Sequence, residues 1–548
     1  MAKDVNMQGS SIAAARHAAA RPAAPVADRR HRAIVVALTA LTFLVTFVFF
    51  TRVCPLVPCN ADDWVLMAKV RSGLPEWGGF NPAKVLPETL LHFINYFAAF
   101  CVMPFVGDYV WSIVVAAAIL MSGLITAYVS AFRRLLTDRM GVRYGSAAIA
   151  AAIFYLCHFV LLSHTNGGQI PFLFGTRDLT NAIHYTTPFL ACAAAAFLIL
   201  RRGAAPEPRE GCRETRLSLW VLILLIYLGM FSNLFQNVSL AAFSGACLVV
   251  SLAQIGVTQK RKWTVRSFVR HNALHVYVLA LWLLSMLFEL SGNRATGALD
   301  EDDGAGFHLV ETVVDVVQTL KLLNRGLLLL LVGAVVATVV VLVVRKAGAD
   351  QKGAGLRALV VGILASALTL AFIILLSSVI SPYTQSLLPA HYYASRSDVL
   401  VSAVWPGLAL CCAAIAYLVD NWRPADLVAP IAVFLLSVSM VNGIGRYEPP
   451  VRGNIGWGVT LVAAQDMVQQ VLDADQAGQT SVEVHVLAFH NDFAYNWPLS
   501  PGLGSGLADD LYTAGVTSKW MDITIVPDTA VNERLGLSDD IGGSAAAQ

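Results

Sequence analysis

The sequence predicts an all-α polytopic membrane protein of about 11 transmembrane helices, N-terminus inside, with a small α/β extracytoplasmic domain at its C-terminal end. Three observations predict it. Hydrophobic residues make up 57% of the 548 residues and charged ones 14%, and many stretches reach the ~18–20 apolar residues that span a bilayer. Basic residues gather in alternate connections. The composition then turns from apolar to mixed past Val441. Backbone groups in lipid must be satisfied within their own segment, so the spans are helices. The two-residue alternation of an outer-membrane barrel is absent.

Residues 1–32 are rich in Ala and Arg, hold Pro22 and Pro25, and read as a disordered cytoplasmic tail. The first apolar run starts too late and is too long for a cleaved signal peptide. The expected spans are 33–50, 109–131, 146–163, 182–200, 217–232, 238–257, 272–290, 326–344, 357–380, 399–419 and 427–443. Arg133, Arg134, Arg139 and Arg143 fall in one connection, Arg201 to Arg216 in the next but one, then Lys260 to Arg270 and Lys346 to Arg357. The positive-inside rule puts these connections in the cytoplasm. The alternate loops then face outward, and so does the region 444–548. Leu90–Val106 is apolar enough to cross, but crossing would invert every later loop. It is expected to lie in the outer interface, or to dip in and return, ending at Pro104 and Gly107.

The transmembrane domain, 33–443, is organised around outward loop 51–88. That loop holds Asn60-Ala61-Asp62-Asp63-Trp64, then Lys69, Arg71, Trp77 and Lys84 in a Pro/Gly-rich run. Cys54 and Cys59 flank Pro-Leu-Val-Pro there; a short bridge in an oxidising exterior and two unbonded small residues are equal readings. The other cysteines sit mostly in spans as small buried thiols, and no Cys/His cluster has zinc spacing. The next polar outward loop carries Arg177, Asp178 and His184, and a later one His391, Tyr392 and Arg396. A guanidinium matches phosphate oxygens two at a time, although Arg177 could equally pair with Asp178. Asn233, Gln236 and Asn237, at membrane depth, read first as helix–helix hydrogen bonds. Val310–Leu323 has an apolar face of Val313, Val314, Val317 and Leu320, suited to an interface. Asp300–Asp303 reads as a solvated turn. In the C-terminal region Val459–Asp475 has helical spacing, and Ser481–Phe489 and Trp520–Val526 read as strands, with no glycine-rich phosphate loop and no GxSxG.

Two adjacent carboxylates at a membrane surface suit transfer of a sugar from a lipid-linked phosphate. One carboxylate takes the acceptor's hydroxyl proton. The second, projecting elsewhere, supports it. Lys69, Arg71, Arg177 and Arg396 would stabilise the leaving phosphate, with or without a divalent ion such as Mg or Mn. A competing reading of Asp62 and Asp63 is a helix N-terminus, with Asn60 or Asp62 as the cap.

A first span, an immediate outward loop bearing Ala61-Asp62-Asp63-Trp64, many further spans and a small external C-terminal domain resemble the type-C polytopic glycosyltransferases. The resemblance implies that the first-loop acid, Asp62 or Asp63, is catalytic. It implies a polyprenyl-phosphate-linked sugar as donor and an envelope glycan or lipid as acceptor in the cytoplasmic (inner) membrane, with no nucleic-acid partner. Bacterial members often carry a Gly-Arg pair after the acid. Here the stretch is Asn81-Pro82-Ala83-Lys84, so either Lys84 substitutes or the chain has diverged. With these expectations Trp64, Lys69, Arg71, Lys84, Arg177, Asp178, His184, His391, Tyr392 and Arg396 are the candidate substrate contacts. The alternative is a lipid-linked sugar flippase or another polytopic transporter. Transporters place ionisable residues at mid-membrane and often show repeated halves, and neither pattern is evident here. An envelope polymerase or ligase would use the same donor but rely on the outward arginines.

Overall fold

The computed structural model describes residues 26–68, 85–162, 172–174, 178–203, 216–258, 264–290, 308–344, 349–380, 393–394, 396–447, 455–488 and 502–537. The chain is mostly helical, and among the described residues nine helices are long and apolar enough to cross a membrane. Eight of them match expected spans; the ninth is Val85–Val106. The expected spans 146–163 and 217–232 appear as shorter apolar helices, Tyr144–Val160 and Ser218–Met230. The segment expected at 272–290 is the second arm of a pair bent by 88°.

The helices used below are α1 (Val26–Val48, extended by a π turn Phe49–Val53), α2 (Ala61–Ala68), α3 (Val85–Phe97), α4 (Tyr109–Asp138), α5 (Tyr144–Val160), α6 (Thr187–Arg202), α7 (Arg216–Met230), α8 (Leu234–Thr258), α9 (Val265–His271), α10 (Ala273–Leu290), α11 (Leu309–Lys321), α12 (Arg325–Val344), α13 (Ala349–Ile380), α14 (Ser397–Asn421) and α15 (Arg423–Asn442). An aromatic cluster fills the space between α4, α5, α6 and α14: Tyr128, Phe132, Phe154, Phe197 and Trp405 are all buried. Rings at 4.3–5.7 Å supply area and edge-to-face contacts together.

Contacts between helix ends sort the connections into two sets. Arg143 pairs with Asp420 at 2.6 Å, and Arg201 with Asp138 at 2.7 Å, at one end of the bundle. At the other end the Asn324 N–H donates to Leu161 O at 2.8 Å, and the His308 N–H to Ser378 O at 3.0 Å. There too the Tyr447 hydroxyl donates to Phe159 O at 2.9 Å. The helix from Val85 to Val106 has both of its ends in this second set. Its Val85 N–H donates to Phe231 O at 3.0 Å, and Asp108, just past it, accepts from Gln465 of the C-terminal region at 3.0 Å. A π turn at Ala98–Val102 interrupts it midway. Gly107, at φ 77°, then ends it in the left-handed region, and Asp108 caps α4 through the Trp111 N–H at 2.6 Å.

The C-terminal region is a small α/β unit of α16 (Trp457–Gln476), β1 (Ser481–Leu487), α17 (Leu503–Thr513), β2 (Asp522–Asp528) and α18 (Thr529–Arg534). The strands run parallel, Val484 opposite Ile525, which requires a crossover, and α17 lies in it. The elements match the expected helix and two strands, with the second strand starting two residues later than Trp520.

This unit docks on α2 through α17. A Cβ on Gly506 would lie 2.6 Å from Val65 Cγ2 and 3.0 Å from Val65 N, so only glycine permits the approach. Beside it Asp510 is fully buried. Its Oδ1 accepts from Asn95 Nδ2 at 2.6 Å, and its Oδ2 lies 2.7 Å from the Tyr109 hydroxyl, which is also 2.7 Å from Asn95 Oδ1. One phenol proton cannot serve two acceptors; a protonated Asp510 supplies the second. Burial pushes the Asp510 carboxyl up to about 8, against the donations from Tyr109 and Asn95. An acid raised in the folded state contributes stability that is complete below its unfolded value and lost as pH rises through the folded one. Limited proteolysis of the C-terminal unit is therefore expected to accelerate, and the thermal midpoint to fall, as pH rises from the ordinary carboxyl value of 3.8 towards about 8, and to level off above that. Asp510→Asn, which stays neutral, is expected to flatten that dependence.

Candidate functional site

The loop after α1 leads into α2 through Asn60, whose Oδ1 accepts from the Asp63 N–H at 3.0 Å. In return Asp63 Oδ2 accepts from the Asn60 N–H at 3.1 Å and the Cys59 N–H at 2.7 Å. This is a reciprocal cap, satisfying donors that the helix start would otherwise orphan. Asp63 also reaches across to the loop before α6. Its Oδ1 accepts from the Thr180 N–H at 2.7 Å and the Thr180 hydroxyl at 2.5 Å. All four donations fall on a carboxyl with no exposed surface.

Asp62 points the other way. It is exposed, and it stands close enough to Asp178 to raise that residue's pKa. Asp178 is buried and caps the turn Leu179–Asn181, accepting from the Asn181 N–H at 2.6 Å and Asn181 Nδ2 at 2.7 Å. Asn181 Oδ1 in turn accepts from Arg396 Nη2 at 2.9 Å. Arg396 forks onto Asp398, Nε to Oδ1 at 3.0 Å and Nη2 to Oδ2 at 2.7 Å, with its guanidinium 4.2 Å from the Tyr185 ring centre. The segments starting at Asp62, Asp178 and Arg396 thus meet at one end of the bundle.

The electrostatics follow from burial. Burial pushes Asp63 up to about 8, and Asp178 adds to it, while the donations from Thr180 and Cys59 oppose. Burial likewise lifts Asp178 to about 6; Asn181 and Arg396 hold it down, Asp62 and Asp398 push it further up. The Cys59 thiol is driven well up by burial, then by Asp63 and Asp178, so it is no nucleophile.

Several expected contacts take other places. Trp64 is fully buried in the core, so it cannot meet a ligand there. The Arg396 fork is taken by Asp398 instead of an incoming phosphate. No disulfide joins Cys54 to Cys59: the Cys54 thiol donates to Tyr447 O at 2.7 Å and Cys59 is a buried thiol. His184 lies in the π turn Ala182–Thr186, where its carbonyl accepts from Asn233 at 2.9 Å. Lys69, Arg71, Lys84, Arg177, His391, Tyr392 and Asp300–Asp303 lie outside the described residues. Gln236 donates to Asp398 O at 2.7 Å and Asn237 to Ser285 at 3.1 Å, so with Asn233 they serve as ties between helices and loops. Thr180, Asn181 and Asp398 are parts of the site that residue types alone did not single out. The adjacency of Asp398 to Arg396 was a signal for one of them; nothing local marks Thr180 as the partner of Asp63. Among the described residues no three His, Cys, Asp or Glu side chains converge as a metal site.

The chain matches no protein-family model, and no curated protein is similar to it in sequence.

Asp63→Ala would orphan the Cys59, Asn60 and Thr180 amides, each at a cost of ~1–3 kcal/mol if buried. The expected outcome is a large drop in folded yield and thermal midpoint, measured by fluorescence-detected size exclusion with heating. Asp62→Ala, on the exposed side, is expected to leave both within error of the parent.

Proposed function

We propose that this chain is a membrane glycosyltransferase that moves a sugar from a polyprenyl-phosphate donor to a cell-envelope glycan or lipid acceptor, on the outer face of the cytoplasmic membrane. The observation that carries it is the division of labour in Asp62-Asp63. One carboxyl is locked into the fold; its neighbour stands exposed where three polar segments converge. In this reading Asp62 takes the proton from the acceptor hydroxyl as its oxygen attacks the anomeric carbon. The bond from that carbon to the phosphate oxygen breaks, and the lipid phosphate leaves with the electron pair. Asp63 positions Asp62, and the buried Arg396–Asp398 pair, through Asn181, positions Asp178. The counter-charge for the phosphate falls to Lys69, Arg71, Lys84 and Arg177. The described residues offer no site fitting a divalent cation, so no step is assigned to one.

The helix-end contacts support the sidedness this requires. If Val85–Val106 returns to the face it left, while α5, α7 and the bent α9–α10 pair each cross, the chain makes eleven crossings. The basic turns around Arg143 and Arg201 then share the cytoplasmic face. Asp62, Arg396 and the C-terminal α/β unit share the other.

Asp62→Asn is expected to cut transfer by ~10²–10⁴, the usual worth of a general base, with folding unchanged. The measurement is glycan analysis of cells carrying the variant in place of the parent chain. Full glycan modification with Asp62→Asn would remove the proposed base. A donor lipid that crosses vesicles containing the protein, with no acceptor present, would favour a flippase instead.

A further inference from the structure

Helix α11 is amphipathic in the inverted sense. Thr312, Asp315, Val316 and Thr319 are buried against the protein, while Val310, Val313, Val314 and Val317 are 39–72% exposed. In water such a face would be costly; against acyl chains it is not. Its buried side meets the candidate-site segment, where the Thr319 hydroxyl donates to Ala394 O at 3.4 Å. The next helix, α12, has a mean hydropathy of 3.3 over its apolar window, with only 6% of that window buried. One face lies against α14, where the Thr338 hydroxyl donates to Ala414 O at 3.1 Å, and the other, with Leu329, Leu330, Val336 and Val340, is exposed. Between α11 and α12, the chain turns at Leu322–Asn324 and is fixed there by the Leu162–Leu323 bridge and by Asn324 capping Leu327 at 3.1 Å.

This turn borders an open groove of about 330 Å³ lined by Val317, Leu320, Lys321, Leu323, Arg325 and Leu328. Four aliphatic side chains and two cations share it. Lys321 and Arg325 are exposed, and neither forms an ion pair among the described residues. Cations near helix ends commonly snorkel to the interface without a specific ligand. Here, however, the two line one groove, at the end of the bundle opposite the Arg143 and Arg201 turns. We propose that this groove binds the phosphate of an anionic membrane lipid, with Lys321 and Arg325 on the headgroup and the lipid chain running down the exposed face of α12. Charge complementarity selects the anion, and the continuity of the aliphatic lining with α12 selects a lipid over a soluble phosphate. The proposal does not depend on glycosyl transfer; any function of the chain would retain it.

The test uses the full-length protein in detergent micelles and native mass spectrometry. Phosphatidylglycerol, phosphatidylcholine and inorganic phosphate are titrated in separate arms. The expected result is a saturable phosphatidylglycerol adduct whose affinity falls at least about tenfold in the Lys321→Gln/Arg325→Gln double variant, as loss of two headgroup cations implies. Phosphatidylcholine should bind more weakly than phosphatidylglycerol, and less changed by the variant. The control Arg423→Gln, an exposed cation at the start of α15, should leave the adduct unchanged. Equal binding of both lipids, a double variant that binds like the parent, or a phosphate adduct as strong as the lipid's would each overturn the proposal. A parent-like melting profile of the double variant separates loss of binding from loss of fold.

Discussion

The capture of Asp63 is the constraint on which the site rests. A single carboxyl closes the cap of α2 and, through Thr180, ties that cap to the loop before α6. The loops before α2 and before α6 are separated by more than a hundred residues and by three apolar helices. Without this joint, nothing else among the described hydrogen bonds ties the cap of α2 to Thr180. The joint also fixes direction. Successive residues of a helix project about 100° apart, so holding Asp63 inward sets Asp62 outward. The buried carboxyl is thereby a means of aiming the exposed one.

The same device recurs in two other places. Asp510 holds the C-terminal unit on α3 and α4 through Asn95 and Tyr109, and Asp398 holds Arg396 against Asn181. In each case a carboxyl is buried with its oxygens satisfied, which is the condition under which a buried polar group specifies an arrangement rather than weakening it. The three ties surround α2 and the turn at Leu179–Asn181. They lie at the end of the bundle away from Arg143 and Arg201, where segments without regular packing would otherwise depend on weak surface contacts. Removing charge from water raises the pKa of Asp63, Asp178 and Asp510 alike.

Much of the architecture was legible because hydrophobic length carries it. Lipid imposes helices of a minimum length, and eight of the nine long apolar helices coincide with runs read from composition alone. The two strands and the first helix of the C-terminal unit were legible from period; α17 and α18 were not read. Less legible was Val85–Val106: its composition suits a span, and the contacts of Val85 with Phe231 and of Asp108 with Gln465 could not be read from it. The site was legible in its first residue and opaque in its geometry. Asn60 to Asp63 reads as a cap and as a catalytic pair; the cap is there, closed between Asn60 and Asp63, and Asp62 stands exposed beside it. The partner of Asp63 could not be read, since a threonine in a polar loop carries no mark of a contact 117 positions away. Arg396 drew attention as an outward arginine, yet its role is set by Asp398 two residues on. Trp64 drew attention as an aromatic beside acids, and helical period turned it into the core instead.

The direct test of the Asp63–Thr180 joint is a double-mutant cycle of Asp63→Asn and Thr180→Val, read by thermal or denaturant unfolding of the purified chain in one detergent. Residues that act through a shared hydrogen bond couple by ~0.5–3 kcal/mol. The joint predicts that the double variant loses clearly less stability than the two single losses together. Losses that add to within ~0.5 kcal/mol would mean that Asp63 and Thr180 act independently, and that the aim of Asp62 is set by something else.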